Sequence, residues 1–269
     1  MMKSICLNCL VYTLKDKEVK DNLYLNIFYI WLGKVIQSGG LTSNDFLQVI
    51  MDSRTVEYFS MNDTPLPMLL EKLQCPYVFH TFEPPTTILE GMMRRFTTLD
   101  YHQDIYLYCD IDILISRSLH YITDNLKDNT LYVCKEGYLC DENYSAGFSD
   151  SVENTSMPGF SSGKFIILGK GLRNSFFDKI NSICDYSTDY YTKDQPFFNR
   201  VIYMLPSDKI SVDTNLLTEY VSLNGYDDYN KDYNKDKTIF NDMAGDVANG
   251  ESHVKRIMNT LSLYLAGFY

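Results

Sequence analysis

Short apolar runs alternate with segments of helical periodicity over the first 115 residues. Uninterrupted apolar runs predict buried strands, and apolar residues that recur every three to four positions predict helices. The predicted strands cover residues 5–14, 46–51, 77–82 and 105–116, and the predicted helices cover residues 20–37, 52–59 and 87–99. This alternation predicts an α/β fold in which a central, mostly parallel sheet is flanked by helices.

The second half of the chain is less regular. Strands are predicted at residues 131–134 and 164–168, and helices at residues 174–184, 194–204 and 254–266. Polar residues at 141–158 predict a loop, as does the low-complexity near-repeat at 227–237. Because no stretch has the composition of a linker, residues 1–269 are predicted to form a single domain.

Two aspartates interrupt the fourth predicted strand. Asp110 and Asp112 flank Ile111 in the sequence IYLYCDIDILIS, where apolar and aromatic neighbours indicate burial. Carboxylates are costly inside a buried strand, but ligands of parallel sheets gather at the carboxyl ends of the strands. A divalent cation would offset the desolvation of both carboxylates. The alternative is a strand-to-turn junction in which both aspartates accept hydrogen bonds from nearby backbone N–H groups.

Net charge narrows the class of partner. The chain has a formal charge of −11, with 45% hydrophobic and 22% charged residues, which is typical of a globular protein. A general nucleic-acid binder or a protein that binds anionic membranes needs a basic surface, so the composition argues against both. No apolar run reaches the roughly 18 residues of a membrane span. An anionic substrate would need a metal ion or a few focused basic residues.

Cysteine usage and the N-terminal sequence predict the compartment. The seven cysteines are scattered and odd in number, which favours a reducing compartment over a disulfide framework. Cys6 and Cys9 form a C-x-x-C, but residues three apart on a strand point to opposite faces, so we expect both in the core. The first apolar stretch lacks a small-residue cleavage site, so no signal peptide is predicted. We therefore expect a soluble, cytoplasmic protein.

Three further features bear on the aspartates, and each has a structural alternative. Arg94 ends the helix predicted before the aspartate strand and could return to the same edge of the sheet, or it is a surface charge. The segment DQPFFN, which begins at Asp194, combines a carboxylate and an amide, or it is a helix with Asp194 as its N-cap. His253, followed by two basic residues, is a metal-ligand candidate or the start of a solvated helix.

In their order, these motifs resemble those of the family 8, glycogenin-like, retaining glycosyltransferases. The resemblance rests on YCDIDILI with its D-x-D, the upstream Arg94, FSSGKFII at residues 160–167, DQPFFN and His253. It runs from about residue 11 to about residue 256. It implies a single GT-A domain, a Rossmann-like nucleotide-diphospho-sugar transferase fold. Residues 1–115 would be its nucleotide-binding half and residues 116–269 its acceptor and catalytic half.

The resemblance also implies roles for individual residues. Asp110, Asp112 and His253 would bind a divalent metal, Mn²⁺ or Mg²⁺, which holds the diphosphate of a UDP-sugar. Asp194 and Gln195 would be the catalytic pair and line the reaction side near the anomeric carbon. The implied donor-binding residues are Tyr12, Thr13, Arg94, Asp110, Ile111, Ser161, Ser162 and Lys255.

The predicted function is metal-dependent transfer of a hexose from a UDP-sugar, with retention of configuration. Cleavage of the sugar–phosphate bond leaves negative charge on the diphosphate, which a metal ion and nearby cations stabilise. The sequence does not name the acceptor, which could be a glycan, a protein or a small molecule. No nucleic-acid partner and no membrane span are expected, and a homodimer is left open.

The motifs depart from the family pattern at three places. Ser161 stands where asparagine is usual, and Lys164 stands where an apolar residue is usual. The late motif reads HVKRIMN, without the family's glycine and its Lys-Pro-Trp ending. These departures favour one alternative, a catalytically inactive nucleotide-sugar-binding protein of the same fold. A nucleotidyltransferase is a weaker alternative, because residues 14–20 lack a glycine-rich phosphate loop.

Overall fold

The computed structural model describes residues 2–123, 126–139, 142–145, 157–190, 192–212, 218–220, 239–242 and 258. Its strands are β1 (Ile5–Val11), β2 (Phe46–Asp52), β3 (Tyr77–Phe82), β4 (Ile105–Cys109), β5 (Ile113–Ile115), β6 (Thr130–Tyr138), β7 (Pro158–Leu168), β8 (Ile210–Val212), β9 (Thr218–Tyr220) and β10 (Phe240–Asp242). Its α-helices are α1 (Tyr24–Ser38), α2 (Ser53–Met61), α3 (Leu66–Leu70), α4 (Ile88–Met92), α5 (Glu142–Ser145), α6 (Lys170–Ile183) and α7 (Gln195–Ile202).

A seven-stranded mixed sheet forms the centre of the fold. Its order is β3-β2-β1-β4-β7-β6-β8, and β3, β2, β1 and β4 run parallel to one another. Strand β7 is antiparallel to β4 and to β6, whereas β8 is parallel to β6. Parallel neighbours need crossover connections, which accounts for the helices between the first four strands. The predicted α/β fold with a mostly parallel, mixed sheet is confirmed.

Two apolar layers cover the two faces of this sheet. Trp31 of α1 is fully buried in the first layer, and Phe165 of β7 is fully buried in the second. Cys9 belongs to the first layer and Cys6 to the second, because alternate residues of β1 point to opposite faces. The prediction that the two cysteines face opposite ways in the core is confirmed.

Helix starts agree with the sequence in one case and differ in another. Asp52 begins α2 as predicted, since its side chain accepts a hydrogen bond of 3.1 Å from the Thr55 N–H. The helix predicted at residues 20–37 begins only at Tyr24, after a 3₁₀ turn at Val19–Asp21. Leu23, which the predicted span places inside the helix, precedes it and is 43% exposed.

The helix predicted at residues 87–99 is divided. Helix α4 follows Thr87, whose hydroxyl accepts a hydrogen bond of 3.1 Å from the Glu90 N–H. A 3₁₀ turn, Met93–Phe96, then replaces the expected last turns of α-helix. The tighter winding of a 3₁₀ turn changes the direction of each side chain, and both arginines of the segment lie in it.

The strand predicted at residues 105–116 consists of two strands that belong to different sheets. Strand β4 ends at Cys109 in the central sheet, and β5 begins at Ile113 in a three-stranded sheet of order β5-β10-β9. Asp110, Ile111 and Asp112 connect them. We call these three residues the aspartate junction. It lies at the carboxyl end of β4, where the sequence places it.

Three further sequence predictions concern the start of β7 and two segments near the end of the chain. The small residues at 161–163 lie inside β7 rather than before it, because β7 pairs with both β4 and β6 and begins at Pro158. The loop predicted at 227–237 lies outside the described residues, as does the helix predicted at 254–266 except for the helical Met258. Among the residues described, no helix has both the length and the apolar character to cross a membrane.

Phe165 provides a test of the second apolar layer. Its ring centre lies 5.3 Å from that of Tyr108 and 5.4 Å from that of Phe198. We expect Phe165→Ala to lower the free energy of unfolding by about 3–5 kcal/mol, because the substitution loses apolar burial and leaves a cavity. Denaturant unfolding measures this change. Tyr121→Ala, at a residue 63% exposed, is the control. An equally small loss for both variants would contradict the packing.

Candidate functional site

Arg95 lies between two carboxylates at the carboxyl edge of the parallel strands. Its Nη1 is 3.1 Å from Oδ2 of Asp110, and its Nε is 3.3 Å from Oδ2 of Asp194. Nη1 also donates a hydrogen bond of 3.0 Å to the carbonyl oxygen of Ser162. The Arg95 side chain is only 3% exposed, and an unpaired charge in such a place would be strongly unfavourable. Arg95 thus joins β4, β7 and the start of α7.

Aromatic packing directs Arg95 into the protein. The next residue of the 3₁₀ turn, Phe96, is fully buried, and its ring centre lies 6.2 Å from that of Phe165. The guanidinium of Arg95 lies 5.1 Å from the centre of the Tyr108 ring, which is a cation–π contact. With Phe96 anchored in the apolar layer, the preceding side chain reaches the aspartate junction.

The backbone of β7 holds Asp110 in place. The Asp110 N–H donates a hydrogen bond of 2.7 Å to the Gly163 carbonyl, and Oδ1 of Asp110 accepts one of 2.6 Å from the Tyr108 hydroxyl. A Cβ atom on Gly163 would lie 2.9 Å from Oδ2 of Asp110. Any larger residue at position 163 would therefore displace the carboxylate that pairs with Arg95.

An irregularity in β7 brings this backbone to the site. Val133 of β6 pairs with Phe165, but Lys135 pairs with Phe160, so residues 161–164 lie opposite the single residue Cys134. Such a bulge changes the direction of the backbone and of its side chains. We call residues 161–164 the β7 bulge. Its carbonyl groups accept the hydrogen bonds from Arg95 and from the Asp110 N–H described above.

The first turn of α7 supplies the opposite wall. Asp194 is completely buried, and its side chain makes no capping bond to the helix but pairs with Arg95. The Oε1 atom of Gln195 accepts a hydrogen bond of 3.3 Å from the Ser162 N–H. Asn199 both donates to and accepts from the Phe160 backbone at 2.8 Å. The DQPFFN segment is therefore fastened to the β7 bulge and its flank by side-chain amides.

Burial and mutual repulsion weaken the acidity of three aspartates. Burial raises the pKa of Asp112 to about 8, and the negative charges of Asp110 and Asp242 act in the same direction. Burial raises the pKa of Asp194 to about 6, although Arg95 lowers it in part. The pKa of Asp110 is also raised by burial, against the opposing effects of Arg95 and the Tyr108 hydroxyl.

Carboxylates outnumber cations in the network around the aspartate junction. Among the described residues, the linked carboxylates are those of Asp110, Asp112, Glu136, Asp194 and Asp242, and the linked cations are Arg95 and Lys164. This excess and the oxygen donors suit a divalent cation such as Mg²⁺ or Mn²⁺. In the part of the chain that is described, no three His, Cys, Asp or Glu side chains are grouped to enclose a metal. Asp110 and Asp112 would need further ligands.

The residues predicted to contact the nucleotide follow β1 at the same edge of the sheet. The Tyr12 hydroxyl donates a hydrogen bond of 3.2 Å to the Ile88 carbonyl. Thr13 is buried, its N–H donates to Asp52 at 2.8 Å, and its hydroxyl accepts from Asn22 at 2.8 Å. These bonds give Thr13 a structural task in this structure. The predicted contact with the nucleotide base stays a prediction.

The remaining predicted site residues differ in their distance from the aspartates and in whether the structure describes them. Arg94 pairs with Glu90 at 3.5 Å and lies over the Phe82 ring, while its neighbour Arg95 reaches the aspartates. The motif resemblance pointed to Arg94, and the continuous helix predicted from the sequence gave no reason to expect Arg95 at the aspartates instead. Ile111, in the middle of the aspartate junction, and Ser161, in the β7 bulge, are both buried. Three basic residues of the HVKRIMN segment, His253, Lys255 and Arg256, lie outside the described residues.

Comparison with known proteins gives a match in structure only. No protein-family model and no curated protein matches the sequence. The apo form of mouse xyloside xylosyltransferase 1 matches with a TM-score of 0.51 and 12% identity, over 81% of this chain and 88% of that chain. The apo structure of the bifunctional glycosyltransferase WbbM matches with a TM-score of 0.56 and 12% identity, over 82% of this chain and 40% of that chain.

These matches define the class of fold. The chain has the GT-A glycosyltransferase fold that the motif resemblance predicts, and it spans less than half of the length of WbbM. At 12% identity the likeness is one of architecture. Membership of family 8 stays a prediction.

Asp194 makes folding stability depend on pH. Its pKa of about 6 in the folded protein exceeds the ordinary 3.8, so the folded state binds this proton more tightly than the unfolded chain does. The protonated Asp194 therefore contributes to the free energy of unfolding. This contribution is fully present below about pH 4 and is lost as the pH rises through about 6. We expect Asp194→Asn to remove this loss, which corresponds to roughly 3 kcal/mol.

Denaturant unfolding of wild type and Asp194→Asn between pH 4 and pH 7 measures the effect. The control is Asp189→Asn, because the Asp189 side chain is 93% exposed and its Lys193 partner lowers its pKa, which gives a dependence of opposite sign. A wild-type minus Asp194→Asn difference that does not change with pH would show that Asp194 titrates normally.

Proposed function

We propose that this chain is a metal-dependent, retaining glycosyltransferase that moves a hexose from a UDP-sugar to an acceptor. The observation that supports this most is the buried Arg95, which joins Asp110 of the D-x-D to Asp194 of the DQPFFN segment. Two motifs 84 positions apart in the numbering thus form one charged site at the carboxyl edge of a GT-A sheet. The acceptor would be a glycan, a protein or a small molecule.

Asp110 and Asp112 would hold the divalent cation, with His253 as a proposed further ligand. When bound, Mn²⁺ or Mg²⁺ supplies positive charge that stabilises the diphosphate as the bond to the sugar breaks. Arg95 orients Asp110 and opposes the rise that burial causes in the pKa of this carboxyl. The guanidinium itself stays charged, because Asp110 and Asp194 raise its pKa by more than burial lowers it. The aspartate junction thereby presents fixed carboxylates to the cation.

Asp194 and Gln195 act on the site through their neighbours in this arrangement. Asp194 is fully enclosed and fixes Arg95, while Gln195 accepts the Ser162 N–H and fixes the β7 bulge. Fixed charges and dipoles near the anomeric carbon would stabilise an oxocarbenium-like sugar without reorganising during the reaction. The proposed mechanism is same-side substitution, in which the diphosphate and the acceptor share one face of the sugar.

A second candidate is a non-catalytic protein that binds nucleotide sugars. The enclosure of Asp194 favours it, because a carboxylate with no exposed surface cannot touch the sugar without a rearrangement. Ser161 in place of the usual asparagine also removes an amide that could bind a sugar hydroxyl. Release of free nucleotide from a panel of nucleotide sugars with Mn²⁺, above the rate without protein, would exclude this candidate.

The aspartate junction gives the direct test of the proposal. We expect wild type to bind UDP in the presence of Mn²⁺, and Asp110→Asn/Asp112→Asn to bind it at least about 100-fold more weakly. Loss of a residue that merely supports a metal ligand already costs about 10- to 100-fold. Isothermal titration calorimetry, with and without Mn²⁺, measures both affinities.

The matched control is Asp185→Asn, at an exposed aspartate whose side chain, among the described residues, accepts hydrogen bonds from Ser187 alone. It should bind as wild type does. Equal binding by wild type and the Asp110→Asn/Asp112→Asn variant, or no binding by wild type, would refute the proposed function.

A further inference from the structure

A second buried ion pair lies next to the aspartate junction. Nζ of Lys164 on β7 is 2.5 Å from Oδ2 of Asp242 on β10, and 3.3 Å from Oε1 of Glu136 on β6. The Lys164 and Asp242 side chains are 2% and 4% exposed. Burial lowers the pKa of Lys164, but the negative charges of Asp242 and Glu136 raise it by more than that. The net shift is upward, so the ammonium stays charged.

The strand register places this pair on both sides of the aspartate junction. Lys164 is the cross-strand partner of Cys109, the last residue of β4. Asp242 is the cross-strand partner of Ile113, the first residue of β5. The ion pair therefore links the seven-stranded sheet to the three-stranded sheet directly across the three residues that connect them.

Backbone hydrogen bonds connect the pair to the geometry of the junction. Gly163, which precedes Lys164, accepts the Asp110 N–H at 2.7 Å, and the Ile113 N–H donates to the Asp110 carbonyl at 3.1 Å. A displacement of Lys164 would move the acceptor for Asp110. A displacement of Asp242 would move the partner strand of Ile113. Holding the two side chains together thus fixes both ends of the junction.

We propose that Lys164 and Asp242 are positioning residues that fix the aspartate junction for binding of a divalent cation and a diphosphate. The ligand in this inference rests on the proposed function, whereas the positioning of the junction does not. Neither side chain is exposed enough to contact the donor, so both act through the backbone of β4, β5 and β7. Lys164 stands where the motif resemblance predicts an apolar residue. An ion pair with Asp242 thus takes the place of apolar packing at this position.

The test replaces both charges at once. Lys164→Met alone would remove the cation that pairs with the buried Asp242 carboxylate, and variants that lose one partner of a buried ion pair are strongly destabilised. Replacing both partners by apolar side chains of similar size is often neutral for stability. We therefore compare wild type with Lys164→Met/Asp242→Leu. Glu136 is 15% exposed and can be solvated in that variant.

Two readouts separate positioning from stability. Hydrogen exchange should be faster at the Asp110 and Ile113 amides of Lys164→Met/Asp242→Leu, without a matching change in β1 and β2. Binding of Mn²⁺ with UDP, followed by electron paramagnetic resonance, should weaken by about 10- to 100-fold, the usual cost of losing support for metal ligands. Leu47→Ala, on a strand that in the described part of the chain pairs with β1 and β3 alone, controls for destabilisation and should leave both readouts unchanged.

Each outcome decides one of the two claims. If wild type binds no Mn²⁺ with UDP, the proposed function fails, and faster exchange at the junction still supports positioning. The positioning role is overturned if Lys164→Met/Asp242→Leu keeps the exchange rates of wild type at the junction. If wild type binds Mn²⁺ with UDP, the variant would also have to keep that affinity. Asp242→Asn, which keeps the shape and removes the charge, takes the place of the double variant if that one does not fold, with the same criteria.

Discussion

Burial of one guanidinium constrains the whole site. Taking Arg95 out of water costs several kcal/mol unless carboxylates and carbonyl groups replace its hydration. Those replacements come from Asp110, Asp194 and the Ser162 carbonyl, which belong to three different elements. The charge is compensated only when the end of β4, the β7 bulge and the start of α7 have met. Assembly of the site and stability of the fold are therefore parts of the same interaction.

The aromatic residues make this interaction strong. Tyr108 places its ring under Arg95 and its hydroxyl on Asp110, and it packs against Phe165, which in turn packs against Phe96. Water is excluded from this layer, so charges attract each other more strongly than at a surface. The same exclusion raises the pKa of Asp112 and Asp194, because their charged forms lose hydration. A surplus of carboxylates in such surroundings is what a bound cation would relieve.

The sequence predicted where strands and helices lie along the chain better than it predicted the directions of their side chains and of the backbone between them. Short, largely apolar runs identified the first three parallel strands. Strands β1 and β2 are almost wholly buried, whereas β3, at the edge of the sheet, is partly exposed. The sequence singled out Arg94, but Arg95 is the arginine that pairs with the aspartates. Periodicity assumes a regular helix and could not show this, since Met93–Phe96 is a 3₁₀ turn. The change of sheet after Asp110 was also missed. Ile113–Ile115 is as apolar as β4, and its pairing with β10 depends on residues far along the chain.

Two residues of β7, Ser161 and Lys164, differ from the motifs that the sequence resembles. Ser161 and Lys164 both lie in the β7 bulge, which contributes a carbonyl to Arg95 on one side and an ammonium to Asp242 on the other. The Ser161 hydroxyl accepts a hydrogen bond of 3.2 Å from the Gly163 N–H, and an apolar side chain at position 164 would remove the link to Asp242. Because Gly163 between them also accepts the Asp110 N–H, a change in either network is transmitted to the aspartates. Substitutions in this short segment are thus coupled to one another, and they are best judged together.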